Sequence, residues 1–287
     1  MRRKGISLII IFKGRHKHLY NTLCGVKRGN LTPDEIILVE IGEAKSSIAE
    51  DTIEIQHLLL HNFEPDNLPI ASARNVGAHA AQYDTLVFLD VDCIPSQNFL
   101  STIHQLDIKD ETIYMGNPRY LTRKIDEIEE KVLKSYSVSH PHRPSQDVLK
   151  RSNDYGMFWS LTFFLKYSTF LMIGGFDEVY KGYGAEDTDF AFKARALGIP
   201  FYLTPCTVYH QQHSFYRPPL NHLESIVNNC NHFYSKWSHW PMDNYLQEFA
   251  NKDLILWNAS QQFPIQLKSH PAQESIELAK VHDAPYA

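Results

Sequence analysis

Apolar positions in the first two-thirds of the chain alternate between two patterns. Runs such as Ser7-Leu8-Ile9-Ile10-Ile11-Phe12 and Val87-Phe88-Leu89 are apolar on both faces, as expected of strands inside a covered, mostly parallel sheet. Between them lie stretches with helical spacing. The pattern predicts strands near 6–12, 36–41, 53–60 and 85–89 and helices near 18–28, 70–82 and 96–106. That alternation predicts an α/β fold, a mostly parallel central sheet flanked by helices. Further on, a strand is expected at 112–117, partial helical periodicity over the charged stretch 119–136, a long loop over 138–158 with Pro141 and Pro144, and strands near 199–203 and 206–210. From Asn221, the residues Leu223, Ile226, Val227, Cys230, Phe233 and Tyr234 mark a helical stripe, and a shorter helix follows near 242–250. The polar C-terminal end is weakly patterned. The C-terminal part therefore reads as a helical appendage.

The apolar run at 87–89 ends in Asp90-Val91-Asp92-Cys93-Ile94-Pro95. Open α/β sheets bind ligands beyond the ends of their strands. With alternate residues facing the same way, Asp90 and Asp92 are expected to address one point where a hard divalent cation and a diphosphate can meet. An acidic turn after a core strand is the plainer alternative. A second acidic cluster follows Gly174-Gly175-Phe176-Asp177-Glu178, in Gly182-Tyr183-Gly184-Ala185-Glu186-Asp187-Thr188-Asp189. Glu186, Asp187 and Asp189 fall in the first turn of a helix whose apolar stripe is Phe190, Ala194 and Leu197. Unpaired amides and the helix dipole favour acids there. Capping accounts for one or two of these acids but not for Gly182 and Gly184, which point to a loop that moves or approaches a ligand closely.

Composition narrows the function classes. A chain of 287 residues can bury one large core, or a core with an appendage. The net charge of −5 and the lack of a basic run beyond Met1-Arg2-Arg3-Lys4 argue against nucleic-acid binding. Cys24, Cys93, Cys206 and Cys230 are widely spaced, forming neither a disulfide framework nor a zinc pattern. A reducing, cytoplasmic setting is the expectation. Lys13 and Arg15 cut off the first apolar run, and no run reaches membrane-spanning length. At most peripheral membrane association is expected.

Four segments together resemble the nucleotide-sugar-dependent glycosyltransferases of the Rossmann-like GT-A fold, and more closely the β-1,4-galactosyltransferase family with its bacterial relatives. They are Phe12-Lys13-Gly14-Arg15-His16-Lys17-His18-Leu19; Asp90-Val91-Asp92-Cys93-Ile94-Pro95; Lys166 through Phe170, Ile173, Gly175 and Phe176 to Gly182–Asp189; and His210-Gln211-Gln212-His213. They span roughly residues 6–213. Ala73-Arg74-Asn75-Val76-Gly77 resembles instead the wider bacterial transferase family, where this segment lies against the nucleotide.

The resemblance implies a catalytic domain over 1–215, with a nucleotide-sugar half at about 1–95 and an acceptor half at about 96–215, and a helical extension over 216–287 packed on it. It implies Mn2+, with Mg2+ as the alternative, held by Asp92, His213 and His210. It implies donor contacts from Phe12, Lys13, Arg15, Arg74, Asp90, Val91, Asp92, Tyr183 and Gly184, with Asp90 on the ribose or a nearby cation. Asp187 is implied as the catalytic base, and Glu186 as its acceptor-holding neighbour, with Tyr183 also facing the acceptor. Tyr183 replaces the galactosyltransferases' tryptophan. The implied reaction is inverting transfer of a hexose or N-acetylhexosamine, galactose-type favoured, from a UDP-sugar to a saccharide or lipid-linked glycan. A catalytically inactive nucleotide-sugar-binding protein is the alternative; a nucleotidyltransferase would need a glycine-rich basic loop, and only Gly14 is present after the first strand. Phe233, Tyr234, Trp237 and Trp240 are either an acceptor platform or core.

Overall fold

The computed structural model describes residues 2–47, 55–61, 63–64, 67–143, 146–282 and 284–285. The N-terminal half is built from β1 (Arg3–Phe12), α1 (His16–Lys27), β2 (Glu35–Ile41), β3 (Ile55–Leu60), α2 (Ile70–Ala80) and β4 (Tyr83–Asp90). The strands lie in the order β3-β2-β1-β4, all parallel, with Ile9 beside Ile37 and Phe88. Residues 53 and 54 of the expected third strand lie outside the described residues.

The double-sided burial has the physical cause that the sequence pattern suggests. Leu8, Ile10, Leu38 and Val87 pack with Leu19, Leu23 and Val26 of α1 and with Phe99 and Ile103 of α3 (Phe99–Gln105). Ile9, Ile37, Val39 and Phe88 face the other way, onto α2. Period-two side chains thus feed two cores. Gly77 of α2 faces Ile9, whose Cγ2 would lie 2.5 Å from an added Cβ, so this helix sits against the sheet at glycine distance.

The rest of the sheet departs from the sequence pattern in four places. First, β6 (Ile113–Leu121) runs past the expected 117 into the charged stretch, because Arg119 is held by Ser137 and Ser139. Helix α4 is confined to Glu130–Ser135. Second, the expected loop 138–158 carries β7 (Ser137–Ser139), β8 (Lys150–Ser152) and a 3₁₀ turn at Tyr155–Met157; β7 pairs with β6. Pro144 lies outside the described residues. Third, β9 (Thr162–Lys166), which no periodicity marked, is inserted antiparallel between β4 and β6 and is followed by α5 (Tyr167–Ile173). Fourth, the two strands expected near 199–203 and 206–210 are one, β10 (Phe201–His210), with a register shift between Leu203 and Thr207. β10 runs parallel to β6, and it pairs antiparallel with β8 and with β5 (Cys93–Pro95). The full order is β3-β2-β1-β4-β9-β6-β10-β5.

Helix α6 (Glu186–Ala196) buries Phe190, Ala191, Phe192 and Ala194, whereas Leu197 is 53% exposed. The expected stripe is corrected accordingly: α6 is covered on two sides, by the sheet core and by the C-terminal part. There, α7 (Leu223–Trp237), α8 (Asp243–Asn251) and α9 (Gln273–Leu278) surround a separate cluster including Leu223, Ile226, Cys230, Trp240, Leu246 and Phe249. Phe233 packs on Phe192 of α6 with ring centroids 5.0 Å apart. The weakly patterned end forms α9 and a strand at Lys280–Val281 that pairs with Phe215–Tyr216. Phe233 and Trp240 are buried, Tyr234 stacks on Trp240 at 4.0 Å, and Trp237 donates to Asp189, so these aromatics are packing residues rather than an open platform. Among the described residues, no helix is long and apolar enough to cross a membrane.

Candidate functional site

Strands β1 and β4 end side by side, with Ile11 level with Asp90. Beyond β1, Phe12 is buried in the α1-side core, and Gly14 and Arg15 take left-handed conformations (φ 59° and 52°) that turn the chain into α1. The turn directs the Arg15 guanidinium at Asp92, with which it forms an ion pair. Lys13 is exposed and lies over the Phe63 ring at 4.8 Å. Val91 is buried, and its carbonyl accepts from Thr22 Oγ1 at 2.8 Å.

Asp92 is placed by β-pairing. His210 is level with Cys93 in the β10–β5 ladder, and the Gln211 amide donates to the Asp92 carbonyl at 2.7 Å. His210 Nε2 lies 3.5 Å from Asp92 Oδ1, and His213 Nε2 lies 3.4 Å from Asp92 Oδ2. One ligand atom from each of the three falls within 4.8 Å of the others. Asp90 is not in this trio. Residues 91 and 92 form a turn, so strand alternation does not carry across them, and Asp90 instead faces Arg74.

The chemistry of the trio suits a divalent transition metal. Burial opposes charge on Asp92, but His210 when protonated and Arg15 at every pH are the chief cations that hold its carboxyl below the usual range, so it is ionised. Burial pushes His210 down to about 4 and lowers His213 as well, which leaves both imidazoles neutral at pH 7. A carboxylate with two imidazoles favours Mn2+ over Mg2+, which prefers oxygen ligands.

Arg74 of α2 organises a second group. It is buried, with Nη1 3.0 Å from Glu186 Oε1, Nη2 2.7 Å from Ser160 Oγ and Nη2 3.6 Å from Asp90 Oδ1. One guanidinium shared by several acids leaves negative charge in excess. Asp90 is accordingly raised to about 7, by burial first, against the pull of Arg74 and with Asp92, Glu186 and Asp187 adding repulsion. Asp187 is raised to about 6, by burial and then by Glu186, with Arg74 opposing. The amide of Ser160 donates to Asp187 Oδ2 at 3.4 Å, and that of Thr188 donates to Oδ1 at 2.7 Å.

The glycine segment before α6 is gripped from α7. Asn229 Nδ2 donates to the carbonyls of Lys181, Tyr183 and Gly184 at 2.9, 3.2 and 2.9 Å, and Ser225 Oγ accepts from the Tyr183 amide at 3.3 Å. The Tyr183 ring stacks on His222 at 5.0 Å. At Gly184 (φ 99°) an added Cβ would lie 2.5 Å from Met242 Sδ. Asp189, although in the same acidic turn as Asp187, is fully buried and accepts from Tyr180 Oη and Trp237 Nε1 while pairing with Lys236. Sequence reasoning missed Ser160 and Asn229. Asn229 left a readable trace as a polar position beside the apolar stripe of α7; Ser160 belongs to no motif.

The sequence matches the family described as "Glycosyltransferase like family 2" over residues 7–217. It is similar to validoxylamine A glucosyltransferase of Streptomyces hygroscopicus subsp. limoneus, 24% identical over 260 residues that cover 80% of this chain and 56% of that protein. It is also similar to chondroitin synthase of Escherichia coli, 26% identical over 241 residues covering 72% of this chain and 35% of that protein. The chain thus spans about half or less of the length of these relatives. Among solved structures, S. aureus TarS 1–349 in complex with UDP superposes with a TM-score of 0.53 at 14% identity, covering 87% of this chain and 71% of that one. GalNAc-T7 with UDP, GalNAc and Mn2+ gives 0.52 at 16% identity, covering 88% and 54%. The chain belongs to the glycosyltransferase family 2-like family and has the GT-A fold.

Proposed function

We propose that this glycosyltransferase is metal-dependent and inverting, and that it moves a hexose or N-acetylhexosamine, galactose-type favoured, from a UDP-sugar to a hydroxyl of a saccharide or lipid-linked glycan. The observation that carries this reading is the Asp92, His210 and His213 trio at the end of the sheet. Two structural neighbours with a similar fold contain UDP, one of them with Mn2+. Free, mostly buried cysteines support a reducing, cytoplasmic setting.

Asp92, His210 and His213 would hold the metal, which as a Lewis acid would neutralise charge developing on the departing diphosphate. Arg15 and Lys13 add positive charge beside it, Arg74, Asp90 and Val91 border the nucleotide, and Phe12 supports this wall from the core. Tyr183 and Gly184 place the loop backbone against the donor sugar. Asp187 takes the acceptor hydroxyl proton as that oxygen bonds to the anomeric carbon and the carbon–oxygen bond to the diphosphate breaks, its electron pair leaving with UDP. Glu186, anchored through Oε1 by Arg74, offers its other oxygen to the acceptor. Direct displacement inverts the anomeric configuration. In this reading residues 1–215 are the catalytic domain and 216–287 an extension that positions the loop at 181–185.

The test is the melting temperature of the purified protein with UDP, GDP or CMP, each with and without Mn2+, alongside Asp92→Asn. Ligands that bind the folded state raise it by mass action. A Mn2+-dependent shift with UDP, absent in the variant, is expected; no nucleotide shift, or an equal one with all three, would overturn the reading. A product with retained configuration by NMR would overturn the inverting step alone.

A further inference from the structure

Arg143, in the segment between β7 and β8, is 6% exposed, and neither Nη1 nor Nη2 has a hydrogen-bond partner among the described residues. Its guanidinium lies over Trp159, 4.1 Å from the ring centroid. The next residue, Ser160, donates its amide to Asp187 and accepts from Arg74. In the other direction Trp159 packs edge-on against His140 at 4.7 Å, His140 lies 5.7 Å from Tyr120, and Tyr120 lies 5.3 Å from His210. An aromatic wall therefore connects the His210 side of the site to Asp187, and Arg143 sits on it.

The position of Arg143 is built rather than incidental. β7 pairs with β6 through Ser139 and Arg119, and the Arg143 amide closes a turn onto the His140 carbonyl at 3.0 Å. Burial lowers the guanidinium to about 10, and Tyr120, Asp187 and Asp154 partly offset this, so it remains charged at neutral pH. A desolvated cation with donors left unmade is costly unless a ligand supplies acceptors. The planar fork of arginine fits carboxylates and phosphates in two-point fashion. Arg15 serves the Asp92 side of the site; Arg143 is on the Asp187 side.

We propose that Arg143, seated on Trp159, determines acceptor specificity by binding an anionic group of the acceptor, a uronate carboxylate or a sugar phosphate, next to the hydroxyl that Asp187 deprotonates. This rests on the proposed transferase site. The acceptor is thereby an acidic glycan rather than a neutral one.

The test compares binding of methyl β-D-glucoside, methyl β-D-glucuronide and methyl β-D-glucoside 6-phosphate to the UDP-loaded protein by calorimetry. In the native protein at least one anion should bind ~10-fold or more tighter than the neutral glycoside, as charge-assisted hydrogen bonds predict. The stronger of the two identifies carboxylate or phosphate. Arg143→Gln should abolish the preference, and Arg143→Lys should keep part of it, with UDP affinity unchanged in both. Equal affinity for all three glycosides, no binding of either anion, or a preference that survives Arg143→Gln would overturn the proposal. A fall in UDP affinity matching the loss of anion binding would overturn it too, by assigning Arg143 to the donor diphosphate. The native comparison needs no variant to fold. A native protein that fails to bind UDP counts against the donor-site reading and is scored separately from the glycoside preference.

Discussion

Asp92 and Asp187 both act on Asp90 but sit in opposite electrostatic settings. Asp92 is paired with Arg15, which keeps it ionised despite burial, beside the neutral imidazoles of His210 and His213. Asp187 is crowded by Glu186, and burial lifts it to about 6. The first setting suits a carboxylate that holds a cation at every working pH, and the second one that accepts a proton near neutrality. The contrast arises from the elements that carry them: β-pairing brings His210 to Asp92, whereas the start of α6 gathers acids around a single arginine, Arg74.

The contrast breaks most visibly in a pair of variants. Asp187→Asn is expected to lower turnover by roughly 10²–10⁴-fold, the usual worth of a general base, with Mn2+-dependent UDP binding unchanged in calorimetry. Asp92→Asn should lose that binding as well as turnover. If both variants fail in the same measurement, the two acids do not have separate roles.

Next in size is the comparison with Asp189, two residues along the same helix. Asp189→Asn should lower stability by roughly 2–4 kcal/mol in urea unfolding, because it weakens a buried pair with Lys236 and the bond from Trp237. The folded fraction should keep its turnover at low temperature, unlike Asp187→Asn.

Asn229→Ala should have a smaller effect, about 1–3 kcal/mol, as one side chain that satisfies three loop carbonyls is removed. Donor KM should rise more than kcat falls, since the loop carries Tyr183 and Gly184.

The smallest effect sharpens the comparison through pH. A carboxyl raised to about 6 is protonated below that pH and cannot act as a base, so kcat should rise as pH increases through about 6. Glu186→Gln removes the charge that repels the ionised Asp187 and should move that limb to lower pH. Mn2+ binding should persist below pH 6.5, the ordinary histidine value, because burial keeps His210 neutral down to about 4. A limb that stays in place in Glu186→Gln would show that Glu186 does not act on the base.

Much of the frame was legible in the sequence. Runs apolar on both faces read as covered strands, and β1, β2 and β4 are buried as that demands. Glu186 and Asp187 could be assigned to a helix start because acids, glycines and an apolar stripe coincide there. β9 was not legible, since five residues of Thr-Phe-Phe-Leu-Lys carry too little periodicity to separate strand from helix. Nor was the 137–158 segment, whose short edge strands exist only because β6 and β10 offer unpaired backbone.

The sequence by itself determined the α/β alternation, the two acidic clusters and the order of the four motif segments, because burial periodicity and local spacing are properties of neighbouring residues. Tertiary structure decided that Asp90 turns to Arg74 while Asp92 turns to His210 and His213, that Asp189 is buried structure, and that Asn229 and Arg143 stand beside the site. Those pairings join residues up to more than a hundred positions apart, and which charge meets which depends on strand register and helix packing that no local pattern encodes.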